Sequence, residues 1–161
     1  GDGPGAPVAV HLPNSPVIQT GKRDGSKIRL PNGNYLEETA SYYVLVETKA
    51  GGMTPALISM KSTQLNVSKK WNSMMKTIQI PDGKGGMAIP PMHGVVYNLQ
   101  SVLQKNDKGS WYGWSVTQDR IMGQEDKSLY LTAKDFNSTA AKGNVQTKAD
   151  VEEKAKDSTP Y

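Results

Sequence analysis

The 161-residue chain contains no cysteine. That excludes disulfides and thiolate zinc sites, and it fits a reducing compartment. No apolar run approaches the roughly 20 residues that a spanning helix needs, so no membrane partner is expected. No secretory signal is visible. Histidine is scarce: His11 and His93 stand apart, with no H-x-x-x-H pair, so neither a metal nor another cofactor is expected. Carboxylates that could work together are scarce too. Glu37-Glu38 is an adjacent pair, and neighbours on a strand point to opposite faces. No Ser/His/Asp spacing suggests a nucleophile, and the sequence carries no sign of catalysis.

Charge is unevenly spread. The net charge is +4. Residues 49–120 hold nine Lys/Arg against three Asp, a surplus of six, which leaves the rest of the chain at −2. A basic middle segment favours an anionic partner.

The first 34 residues are rich in Gly, Pro, Asn and Ser and read as an irregular arm, with short strands at Val8-Ala9-Val10 and Lys27-Ile28-Arg29-Leu30. Pro31-Asn32-Gly33-Asn34 is a turn signal. Ordered structure is expected from about Tyr35. Ser41 to Thr48 is β-branched and aromatic, as strands are. Thr54 to Lys61 reads as its hairpin partner, with Ala56, Ile58 and Met60 on one face. Ser62-Thr63 looks like a helix N-cap. Leu65, Ser68, Trp71 or Asn72, Met75 and Ile78 follow at helical spacing, which predicts a helix over 63–78. Pro81 to Gly86 reads as a mobile loop, whose Gly83-Lys84-Gly85-Gly86 is basic and glycine-rich but without the P-loop pattern. It could close over a bound strand. Gly94 to Lys105 and Trp111 to Arg120 form a second expected hairpin. Leu129, Ala133, Phe136 and Ala140 mark a second helix, stopped at Gly143. Residues 144–161 read as a polar flexible tail. With an early strand at 26–36, the element order β-β-β-α-β-β predicts an α+β, mainly β domain over 35–143: an OB-like five-stranded barrel with a helix between strands 3 and 4 and a C-terminal helix.

Three of the eleven aromatic residues lie within Trp111-Tyr112-Gly113-Trp114, after a turn that carries Lys108. Alternation along a strand puts Tyr112, Trp114 and Val116 on one face and Trp111, Gly113 and Ser115 on the other. The first set is expected in the core and the second at the surface. Trp111, with Tyr97 and Tyr112 as further candidates, could then stack on nucleobases, while Lys61, Lys69, Lys70, Lys105, Lys108 and Arg120 follow phosphates. The alternative is that all three rings are buried or cover the barrel end. Trp71 follows the apolar stripe of the helix and is expected to pack.

Tyr35-Leu36-Glu37-Glu38-Thr39, the run Pro55 to Leu65, Ser68-Lys69-Lys70-Trp71-Asn72-Ser73-Met74 and the run Asn106 to Trp114 together resemble a family of tailed-bacteriophage proteins. Some of its members are labelled single-stranded-DNA-binding proteins. The resemblance covers about residues 30–120. Similar proteins carry an extra N-terminal region, so this chain, which starts at Gly1, is expected to be the C-terminal portion of a longer one.

The resemblance implies a phage protein of the host cytoplasm that binds single-stranded DNA in replication or recombination. Residues 144–161 would be free to recruit replication proteins, and a homo-oligomer is compatible with the sequence. The competing expectation is a structural or assembly protein, with the aromatic surface and the N-terminal arm making subunit contacts. A nuclease is the least supported, since the basic segment has no carboxylate cluster.

Overall fold

The computed structural model describes residues 9–25, 27–107 and 109–143. The chain divides into two units between Thr39 and Ala40.

The first unit holds a single helical turn, α1 (Pro16–Gln19), begun by Pro16, whose fixed φ suits a first helical position. Three short strands follow: β1 (Lys22–Asp24), β2 (Lys27–Arg29) and β3 (Tyr35–Leu36). They form one antiparallel sheet in chain order. The expected turn at Pro31–Asn34 joins β2 to β3: Leu30 N–H donates to Asn34 at 2.8 Å and Gly33 takes a φ of +85°. The Arg29 guanidinium lies 4.5 Å from the Tyr35 ring centre and reaches Asp24 at 3.4 Å. A segment expected to be mostly irregular therefore carries a small sheet. Ala9 and Val10 are outside any strand, and Val8 lies outside the described residues.

The division between units falls at the first residue of β4 (Thr39–Glu47), which is hydrogen-bonded to β5 (Met53–Lys61). Thr48 closes their turn, its N–H donating to Gly52 at 2.8 Å. Ala56, Ile58 and Met60 do share the inward face, with Met60 fully buried. A 3-10 turn (Ser62–Gln64) then leads into α2 (Leu65–Thr77). Ser62 and Thr63 do not cap this helix: neither the turn nor the helix has a side-chain cap. Ser62 instead adopts φ +52°, the left-handed conformation that bends the chain out of β5. The expected face of α2 packs, with Ser68, Trp71 and Ile78 buried and Asn72 exposed.

The segment read as a mobile glycine loop is a hydrogen-bonded turn. It joins β6 (Ile80–Pro81) to β7 (Met87–Ala88). Asp82 Oδ1 accepts from the N–H groups of Lys84 at 2.7 Å and Gly86 at 2.9 Å. Those two bonds hold its carboxyl below the usual carboxylate range. The long hairpin follows: β8 (Val95–Asn106) and β9 (Gly109–Ile121), in register from Val95↔Ile121 to Asn106↔Gly109 with an irregularity between Val96 and Tyr97. The last element is α3 (Lys127–Ala141), whose Ala133 is buried as its periodicity predicts and which stops at Gly143 with φ +70°. Residues 144–161 lie outside the described ones. Among the described residues no helix is long and apolar enough to cross a membrane.

The core is aromatic at its centre. The Trp71 ring lies 4.5 Å from Tyr42 of β4 and 5.6 Å, edge-on, from Tyr97 of β8. Tyr42 fixes the stack by sharing a hydrogen bond with Ser68 Oγ at 2.7 Å. The architecture is thus mixed α+β, mainly β, but no closed barrel forms among the described residues. Closure requires each strand to be hydrogen-bonded on both sides. Here β4–β5, β6–β7 and β8–β9 are separate two-stranded sheets. At Trp114 the open edge of β9 is met by a side chain, Gln64, not by a strand.

Two outcomes are expected. Trp71→Ala removes the ring that three elements share and should cost about 3–5 kcal/mol in urea unfolding. His93 lies 5.2 Å from Tyr130 on α3. Burial, then Lys134, lowers its pKa from the ordinary 6.5. The folded state therefore prefers neutral His93. Its contribution is fully present above about pH 6.5 and falls as pH drops toward the folded pKa. His93→Gln should flatten that part of a melting-temperature profile; an unchanged profile would assign the slope to other groups.

Candidate functional site

The two faces of β9 are the reverse of the expectation. Tyr112 is 73% exposed and Trp114 38%, whereas Trp111 is half-buried and Gly113 buried. The reason is local. A Cβ on Gly113 would collide with the side chain of Gln64 and press on Gln104, so this face accepts a close neighbour only where no side chain stands. Gln64 uses that space. Its Oε1 accepts from Trp114 N–H at 2.7 Å, and its Nε2 lies 3.4 Å from Gln104 Oε1. Gln104 in turn accepts from Trp111 Nε1 at 3.0 Å. A polar chain therefore runs from the start of α2, across β8, to the Trp111 indole, and the unpaired edge of β9 is blocked at its middle.

The outer face is apolar and open. Leu103 stands opposite Tyr112 and is 51% exposed, and Ser101 stands opposite Trp114. Lys105 continues the row beyond Leu103. Beside this face a shallow cleft of about 260 Å³ is lined by Ser59, Lys61, Gln64, Ser101, Tyr112, Gly113 and Trp114. A second, of about 370 Å³, is lined by Ser62, Thr63, Asn106, Gly109, Ser110 and Trp111. The left-handed Ser62 sits in its wall.

The other residues singled out in the sequence fall into three groups. Lys61 lines the first cleft, while Lys69 and Lys70 are exposed on α2 and Lys105 on β8. Lys108 lies outside the described residues. Tyr97 is drawn into the core beside Trp71. Its hydroxyl is buried without a partner among the described residues, and burial raises its pKa. Arg120, at the far end of the hairpin, is held by carboxylates: Asp119 at 2.9 Å, Asp126 at 3.4 Å and Glu47 at 3.5 Å. Those partners raise its pKa further above the ordinary arginine value, the Asp119 hydrogen bond most. It ties β4, β9 and the start of α3 together. Sequence reasoning missed Gln64, Gln104 and Leu103. A glycine between three aromatics was the available signal that one face is pressed against a neighbour. Among the described residues no group of three or more His, Asp or Glu could hold a metal ion.

Fold and site define a mixed α+β protein of separate antiparallel sheets, whose longest hairpin exposes an apolar row beside lysines. The family described as Pam3 phage gp34-like protein matches residues 2–146, and the chain belongs to that family. No curated protein and no solved structure matches.

Gly113→Ala should push Gln64 off the β9 edge and cost about 1 kcal/mol, the worth of an ordinary hydrogen bond. In a Gln64→Ala background the same substitution should cost less. Equal costs in the two backgrounds, by urea titration, would show that Gln64 and Gly113 are uncoupled.

Proposed function

We propose that this phage protein binds single-stranded DNA, with little sequence preference, during replication or recombination in the host cytoplasm. One observation carries the reading: Tyr112, Trp114 and Leu103 lie exposed on one face of the β8–β9 hairpin, inside the most basic stretch of the chain. Apolar rings facing solvent offer bases a stacking surface, worth roughly 1–3 kcal/mol per base. Lys61, Lys69, Lys70 and Lys105 supply phosphate neutralisation, and Lys108, outside the described residues, is a further candidate from the sequence. Arg120 has its carboxylate partners and serves the fold first. The binding mode proposed is that of OB-type binders, on open hairpins instead of a closed barrel. Residues 144–161 are the segment that would recruit replication proteins. No catalytic role is proposed.

A second reading has its own observation. Met87, Ile89 and Met92 are each more than half exposed, on β7 and the segment after it. A phage assembly protein would bury them, and the hairpin rings, against other subunits.

Titration with a dT oligonucleotide separates the two. The DNA-binding reading expects quenching of tryptophan fluorescence. It also expects log K to fall against log salt with a slope of about −3 if four lysines engage. No binding at low salt by folded protein overturns it. A large DNA-independent assembly in size-exclusion chromatography, broken up by Ile89→Asp, would favour assembly.

A further inference from the structure

We infer that Tyr112 and Trp114 form a slot for one unpaired base, entered from the outer face of the β8–β9 hairpin. The inference rests on the DNA-binding reading and names the subsite within it.

The two residues are separated by Gly113 and so share a face. Residues two apart on an antiparallel strand stand about 6.8 Å apart. Side chains on a strand rise roughly perpendicular to the sheet. A base inserted between two such rings needs two stacking gaps of about 3.4 Å, the separation of successive bases in a nucleic-acid strand. Spacing and requirement coincide. Among the described residues neither ring pairs with another aromatic side chain, and both rings reach solvent, Tyr112 more than Trp114.

The surroundings fit a base. Position 113 points to the opposite face, where Gln64 and Gln104 fill the space, so the gap between the rings holds no intervening side chain of β9. Across the ladder, Ser101 opposes Trp114 and leaves room beneath the slot, while Leu103 opposes Tyr112 and extends its apolar wall. The cleft of about 260 Å³ opens here, with the hydroxyl-bearing Ser59 and Ser101 on its wall. Lys61 at the end of β5 lines the same cleft and brings positive charge to it. Gln64 fixes the backbone of the slot through Trp114 N–H. Trp111 takes no part: its indole faces the other way and is bonded to Gln104.

The test compares a labelled dT oligonucleotide with one of the same length carrying abasic sites, by anisotropy, for wild type, Tyr112→Ala, Trp114→Ala, Trp114→Phe and Trp111→Phe. The slot predicts that wild type binds dT at least tenfold more tightly than the abasic strand. Tyr112→Ala and Trp114→Ala should each remove most of that difference. Trp114→Phe should retain it if the alanine variant folds poorly, and Trp111→Phe should keep it throughout. Equal binding of dT and abasic strands by wild type, or full base preference in Tyr112→Ala, overturns the slot and leaves the electrostatic DNA-binding reading intact. Failure of wild type to bind either strand overturns both.

Discussion

The packing of Trp71 between Tyr42 and Tyr97 is the constraint on which the second unit depends. Its sheets are separate hairpins, and a lone two-stranded ribbon is marginal in water. They need a common surface, and α2 supplies one to the β4–β5 and β8–β9 hairpins. Through one ring the helix touches β4 on one side and β8 on the other. Among the described residues few other hydrophobic side chains are buried: Met60, Ile78, Val95 and Ala133. With so small a core, an aromatic centre makes physical sense, because each ring buries a large area. The Tyr42–Ser68 hydrogen bond keeps the ring orientation fixed from the helix side.

Because α2 lies against β9, the 3-10 turn that leads into it is brought to that strand, and this turn shapes the candidate site. Gln64 reaches the edge of β9 where Gly113 leaves space, and its amide holds the strand from the side on which no strand pairs. The same contact decides which aromatics face solvent. Trp111 lies on the face that Gln104 and Gln64 serve, so Tyr112 and Trp114 are turned outward. Structure and exposure are thus coupled: the residues that hold the hairpin in place present its apolar row.

Much of this was legible in the sequence. The β4–β5 hairpin, the inward face of Ala56, Ile58 and Met60, the Trp71 stripe of α2, the β8–β9 hairpin and the Ala133 face of α3 all follow from period and turn chemistry. The phage family was legible too, from long runs of unusual residues. Local elements were legible because alternation, helical spacing and glycine turns act within a few residues. That the hairpins stay separate and close no barrel was not legible, because element order does not say whether one hairpin pairs with the next. The Asp82 turn was missed for a different reason. Glycine content signals freedom, and the carboxylate that removes it acts through hydrogen bonds that composition does not display.

The sequence by itself determined that Trp111 and Gly113 would share one face of a strand and Tyr112 and Trp114 the other, since successive side chains must alternate. It also placed a surplus of lysine around them. Which face would be covered was left to the tertiary structure. Hydrophobicity favoured burying Tyr112 and Trp114; the packing of α2, with Gln64 seated over a residue that has no Cβ, buried Gly113 instead. Alternation is a property of one strand, but inside and outside exist only once a second element has chosen a side.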